Sequence, residues 1–214
     1  MLHSKLFSAS LLCVAIFFAF SRTASADFTI NGNFETGNTS GWTSFPSGNS
    51  TFAAINSPLS DVFAGAFSGK LENLATGSAA VIKQANLGVG VVLPFQQITI
   101  SFWAKGSGAA GGVQFAEFFS EISGGGTSSS AILGGGPLAL TNTYTLYQFT
   151  TTTGSNVTGG VTLQFNAATG ANVGSRSTIF VDNVSVSAAI PEPSSTLLIL
   201  GGLGMVASRR RRPC

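Results

Sequence analysis

Cysteine and histidine are almost absent from this 214-residue chain: Cys13, Cys214 and His3 are the whole set, and all lie near its two ends. Between Asp27 and Ile190 there is neither residue type. That stretch therefore has no disulfide, no thiolate or imidazole metal site, and no nucleophilic triad that uses histidine. Charge is scarce as well, at 8% of residues, and the formal net charge of +2 misleads because Lys5, Arg22 and four terminal arginines lie outside the middle. Within Asp27–Ile190 the acids are Asp27, Glu35, Asp61, Glu72, Glu117, Glu121 and Asp182, against Lys70, Lys83, Lys105 and Arg176, a net charge of −3. With no basic patch to meet phosphates, nucleic acid is not an expected partner. A sustained 3.6-residue apolar period is missing too, so the middle is not expected to be helical.

The ends carry addressing information. Residues 1–26 combine Lys5, an apolar run from Leu11 to Phe20, and Ala24-Ser25-Ala26 as an A-x-A site, the pattern of a secretory signal peptide cut by signal peptidase before Asp27. Cys13 does not make a lipoprotein signal, because Leu12 stands before it where a small residue is needed. At the other end, residues 189–214 hold Pro191-Glu192-Pro193, an apolar run from Thr196 to Ala207, and Arg209, Arg210, Arg211 and Arg212. Two prolines fix φ on either side of Glu192 and bias the preceding residues toward extended backbone, leaving an accessible strand-like peptide. As a helix, Ser194 to Ser208 reaches about 22 Å at roughly 1.5 Å per residue, short of a hydrocarbon core of roughly 30 Å. Four arginines stop transfer and stay cytoplasmic, which puts everything before Pro191 across the membrane.

This tripartite tail resembles the PEP-CTERM sorting signal of Gram-negative bacteria. The resemblance implies processing by an exosortase, transient anchoring in the inner membrane, and delivery to the cell surface or an extracellular matrix.

About 160 residues remain for one domain, 27–188, enough for a sizeable core. Short alternating segments punctuated by Gly, Asn and Pro predict an all-β sandwich, with strands over residues 28–30, 69–74, 79–85, 97–104, 112–119, 145–151, 160–166 and 178–187. Loops are expected at 38–41, 106–111, 124–130, 134–137 and 153–159. Eight or more antiparallel strands in this length suggest a jelly roll.

The closing strand presents Phe180, Asp182, Val184 and Val186 at alternate positions, so a carboxylate interrupts an apolar face. A buried carboxylate is costly unless it is paired, bound to a metal, or hydrogen bonded. Glu35 in the opening segment is the second acid expected nearby, and two acids with only oxygen ligands point to structural calcium. The alternative is that Asp182 caps a turn or accepts backbone N–H bonds. Asn31-Gly-Asn-Phe-Glu35-Thr-Gly, Gly41-Trp42 and Ile179-Phe-Val-Asp182-Asn-Val-Ser-Val-Ser187 resemble the opening and closing signatures of galactose-binding-like and carbohydrate-binding-module jelly rolls. That resemblance implies a calcium held by residues matching Glu35 and Asp182, and a fold that serves sugar binding, protein binding or purely structural roles.

Flat aromatic rings cover the apolar face of a pyranose. Trp103 lies on the strand face opposite Ile98, Ile100 and Phe102, beside Thr99, Ser101 and Lys105, and is the first expected platform, with Tyr144 and Tyr147 behind it. Trp42 is expected in the core. A glycosidase needs two carboxyls roughly 5 to 10 Å apart. Glu117 and Glu121 share a strand face but stand about 13 Å apart at roughly 3.3 Å per residue. The chain is therefore expected to be no enzyme but an exported protein whose domain binds or associates with polysaccharide. The alternatives are a structural matrix protein or adhesin without a discrete ligand, and a glycan-active enzyme.

The tail is expected to be cut at or beside Pro191-Glu192-Pro193. Mass spectrometry of the protein from its host should find no Leu197 to Arg212, and Glu192→Ala should leave precursor in the membrane fraction; a mature product that keeps those residues would refute this.

Overall fold

The computed structural model describes residues 24–190. Most of the signal peptide, with Pro191, Glu192, Pro193 and Arg209 to Arg212 of the tail, lies outside the described residues. Ala24 and Ala26 fall inside the first strand, so the expected cleavage before Asp27 lies within it. Among the described residues no helix is long and apolar enough to cross a membrane.

Among the described residues eleven strands form: β1 Ala24–Asp27, β2 Thr43–Phe45, β3 Ser50–Ile55, β4 Ser68–Asn73, β5 Ala79–Leu87, β6 Gln97–Ala109, β7 Val113–Glu121, β8 Thr127–Ile132, β9 Thr145–Thr152, β10 Val161–Ala168 and β11 Arg176–Ile190. They make two antiparallel sheets. One runs β3-β4-β11-β6-β9 with β1 also paired to β11; the other runs β2-β5-β10-β7-β8. Residues 25–190 form one unit with a single core between the sheets.

Alternation decides what enters that core. In β6, Ile98, Ile100, Phe102 and Ala104 are fully buried; in β10, Leu163, Phe165 and Ala167 face them. Phe102 meets Phe165 edge-on at 4.9 Å, a favoured aromatic geometry. Each large apolar side chain so buried contributes about 1.5 to 3 kcal/mol.

The structure departs from the sequence reading at four places. β2, β3 and β8 were not expected, because they are short and rich in Ser and Thr; β8 occupies much of the expected 124–130 loop. The expected strand at 28–30 is not one, and β1 lies just before it. β6 continues through Gly106 to Ala109, where a Cβ on Gly106 or Gly108 would collide with neighbouring backbone carbonyls, so glycine permits strand pairing rather than ending it. Finally, β11 slips register against β6 between Asp182 and Ser185, with Asn183 at φ 46°. The bulge separates what simple alternation had joined. Ile179 and Val181 enter the core before it, Val184, Val186 and Ala188 after it, and Asp182 faces outward with Phe180.

Phe34 locks the opening segment to the sheet. It is fully buried, stacks on Trp42 at 5.6 Å, and lies so close to Gly69 that a Cβ there would strike its ring. Phe34→Ala should lower the unfolding free energy by about 3 to 5 kcal/mol, measured by urea denaturation; a loss below 1 kcal/mol would mean that the segment is held by other contacts.

Candidate functional site

The outer faces of the two sheets differ. On the β3-β4-β11-β6-β9 sheet, the β3–β4 connection lies across the face. Its Phe63 stacks on Trp103 at 4.1 Å, nearly parallel, and also meets Tyr144 at 5.4 Å. Lys105, 7% exposed, donates to Ser60 O and Asp61 Oδ1, both at 2.6 Å, and its ammonium lies 4.9 Å from the Phe180 ring centre. Tyr144 donates to Asp61 O at 2.7 Å, and burial pushes its hydroxyl up to about 12, with the charges of Asp182 and Asp61 adding and the Ser68 hydroxyl opposing.

Two carboxylates hold this connection from below. Glu35 accepts the N–H groups of Ala66 and Phe67 at 2.9 to 3.1 Å. Asp182, with no solvent exposure, accepts Ser68 Oγ–H at 2.8 Å, Ala64 N–H at 3.2 Å and its neighbour Asn183 N–H at 2.7 Å. Burial raises the Asp182 pKa above its ordinary 3.8, and these hydrogen bonds pull it back in part.

These contacts surround the two acids expected to hold calcium. Calcium takes six to eight oxygen ligands. What faces Glu35 and Asp182 is a set of N–H and O–H donors, and no group of three or more His, Cys, Asp or Glu comes together among the described residues. As arranged, Glu35 and Asp182 are turned toward N–H and O–H donors of the β3–β4 region. These contacts fit the second reading of Asp182, an acceptor of local donors that fixes a turn.

Trp103, the expected platform, points away from the core, but its ring is covered by Phe63 and the residue is only half-exposed. A strand pattern gives the side of the sheet and says nothing of a loop folded over it. Tyr147 faces inward, stacking on Phe102 at 5.6 Å and donating to Ala139 O. Tyr144 and Tyr147 therefore do not join Trp103 in one open surface.

The second sheet is open. Strand register places Phe45, Val81, Asn166 and Phe115 side by side across β2, β5, β10 and β7. The next tier is Thr43, Lys83, Gln164, Glu117 and Ile132, and the third holds Thr162, Phe119 and Ser130. Tiers stand about 6.6 Å apart and strands about 4.8 Å, so the four strands from β2 to β7 span about 14 Å. A polar middle row thus lies between aromatic rows. Gln164 donates to Glu117 Oε2 at 2.6 Å, and Lys83 sits 5.0 Å over the Phe45 ring. Thr162 Oγ1 and Asn166 Oδ1 are buried without any hydrogen-bond partner, which is unusual for buried polar atoms. A depression of about 340 Å³ lies at the β7–β8 edge beside Glu117 and Phe119. Sequence reasoning missed this face because it ranked Trp and Tyr above Phe, although Phe115, Glu117 and Phe119 alternate plainly along one strand.

The two antiparallel sheets form a β-sandwich, a fold shared with carbohydrate-binding modules to which the chain is similar. Residues 189–212 match the PEP-CTERM protein-sorting motif. No curated protein matches the chain. The enzymatically active domain of tailspike protein 4 from bacteriophage CBA120 is similar with a TM-score of 0.56 and 21% identity, over 75% of this chain and 21% of that one. The CBM22-1-CBM22-2 tandem domain from Paenibacillus barcinonensis Xyn10C gives 0.55 and 14%, over 83% of this chain and 49% of that one. The single CBM22-1 xylan-binding domain of the same protein gives 0.51 and 12%, over 79% and 95%. The chain thus spans about a fifth of the tailspike chain and nearly all of the single module. At these identities the likeness is one of fold.

If donors alone satisfy the two carboxylates, a chelator leaves the melting temperature unchanged, whereas Glu35→Ala lowers it; a chelator-induced drop would bring a cation back. Because the folded Asp182 pKa is raised, its contribution is fully present below pH 3.8 and is lost as pH rises through the folded value. Asp182→Asn should remove that part of the stability–pH slope in acid.

Proposed function

We propose that this is an exported, exosortase-processed protein of the bacterial surface or extracellular matrix whose sandwich binds polysaccharide on the outer face of the β2-β5-β10-β7-β8 sheet. The observation that carries the reading is the polar row of Lys83, Gln164 and Glu117 set between the exposed Phe45 and the half-exposed Phe115 and Phe119 on one sheet face. A sugar complements such a surface: hydroxyls at its rim for Lys83, Gln164 and Glu117, and a C–H face for Phe115 and Phe119. The net charge of −3 between Asp27 and Ile190 favours a neutral chain over a strongly acidic one.

The fold neighbours support the ligand class, since the CBM22-1 domain is described as xylan-binding. The tail supports the destination: as a PEP-CTERM signal it implies export, a temporary anchor and exosortase processing. Catalysis has no support in the geometry of this face. Glu117 has Gln164 as its hydrogen-bond partner, and no second carboxylate shares its tier.

The test is a polysaccharide panel probed with the 25–190 unit. Phe115→Ala should weaken binding about fivefold or more, the scale of about 1 kcal/mol for a lost aromatic anchor, with little change in stability. Trp103→Ala should act the other way, lowering stability because Phe63 loses its stacking partner, and leaving affinity within twofold. Binding that depends on Trp103 and ignores Phe115 would move the site to the other sheet. Absence of binding across the panel would leave a structural matrix protein.

A further inference from the structure

The end of the sandwich from which the tail leaves carries an uncharged apolar loop. The β5–β6 connection reads Gly88-Val-Gly-Val-Val-Leu-Pro-Phe-Gln96 and contains no charged residue. Val92 points inward at 5% exposure, but Val89, Val91 and Leu93 are each about half exposed and Phe95 is 71% exposed. Four outward apolar side chains in seven residues are not needed by the core, which Val92 alone serves. Other strongly exposed apolar residues, such as Ile30, Leu59 and Val173, are single residues on separate segments.

The position of the loop is fixed by hydrogen bonds. Gln96 Nε2 donates to Ala189 O at 2.9 Å, and Phe95 N–H donates to Gly154 O at 3.3 Å, so the loop is stitched beside the last residues of β11. The neighbouring 153–160 connection, which lines a groove with Val89, Val92 and Pro94, has no charge either. Ile190 is followed by Pro191 to Ser195, five residues that reach at most about 17 Å when extended. Beyond them begins the apolar run that ends at Arg209. The interfacial zone of a bilayer is itself about 6 Å thick on each side. An anchored tail therefore confines this end of the sandwich to within about 10 Å of the lipid surface.

We infer that, while the tail is in the membrane, Val89, Val91, Leu93 and Phe95 dip into the lipid interface and seat the domain upright on the bilayer. The inference rests on the tail being a membrane-inserted sorting signal and is independent of any sugar site. The apolar side chains enter the acyl boundary; the 88–96, 153–160 and 122–126 connections at this end carry no charge, and Glu121, which borders Val89 and Gly159 at the end of β7, stays at the headgroup level. Seating would also hold Pro191-Glu192-Pro193 at a fixed height over the membrane, where a membrane-embedded processing enzyme acts. After cleavage the same residues have only a weak hold, so the product can leave.

The experiment uses the full chain with Cys13→Ser and Cys214→Ser, reconstituted in phosphatidylethanolamine/phosphatidylglycerol vesicles. An environment-sensitive NBD label is placed on Phe95→Cys, Leu93→Cys or, at the opposite end of the sandwich, Thr76→Cys. Labels at positions 95 and 93 should shift to the blue and be quenched by nitroxide-labelled lipids. The label at position 76 should stay as in water. Labels at 95 and 93 that remain water-like, or that shift without lipid and in proportion to protein concentration, would overturn the inference, the latter in favour of a second copy of this chain. The triple variant Val91→Ser, Leu93→Ser, Phe95→Ser keeps Val92 and the core; it should abolish quenching at a label on Val89→Cys while leaving the label at 76 unchanged. Quenching at 89 that persists in this variant would also overturn it.

Discussion

Asp182 is the constraint on which the arrangement depends. Its carboxylate has no contact with solvent, yet it stands on the outer side of its sheet with Phe180, and the bulge at Asn183 turns the later Val184 and Val186 inward. A buried carboxylate is tolerated only where donors surround it. Ala64 N–H comes from the β3–β4 connection and Ser68 Oγ–H from the first residue of β4 that follows it, so satisfying Asp182 requires that connection to lie across the sheet. Hydrogen bonds to a charged group contribute about 1.5 to 3 kcal/mol each. Glu35 repeats the device a few residues further along, and Phe63 is thereby laid on Trp103.

One face is closed in this way and the other is left free. On the closed face the few charges are used internally: Lys105 lies between Asp61 and the Phe180 ring, and Lys70 pairs with Glu72 at 3.1 Å beside the same ring. On the open face, Lys83, Glu117 and Gln164 form a polar row between phenylalanines, with two buried oxygen atoms unpartnered. A domain with so little charge can leave such a face in water because its apolar groups are spaced by polar ones. Phe45, Phe115 and Phe119 never form a continuous apolar patch.

The two ends and the sandwich are complementary parts of one delivery problem. The chain that enters and leaves the domain does so through β1 and β11, which pair with each other. The C-terminal exit lies at the end of the sandwich where the connections carry no charge, away from the centre of the open sheet.

Much of this was legible in the sequence. Composition excluded disulfides and imidazole chemistry, the terminal motifs specified export, and period-2 alternation located most of the strands, including the inward set Ile98, Ile100, Phe102 and the outward Trp103. These are local properties, set by the order of residues within a few positions. β2, β3 and β8 were not legible, because short Ser- and Thr-rich strands exist only through pairing with β5, β4 and β7. The bulge in β11 was not legible either, since one left-handed residue at Asn183 reverses every later side chain and leaves no mark in the apolar pattern. Exposure was the property that only tertiary structure decided. Trp103 and Phe115 both point outward from sheets, but Asp182, more than a hundred residues from the donors it holds, helps lay the β3–β4 connection and its Phe63 over the first, while the second stands in the tiered row beside Asn166.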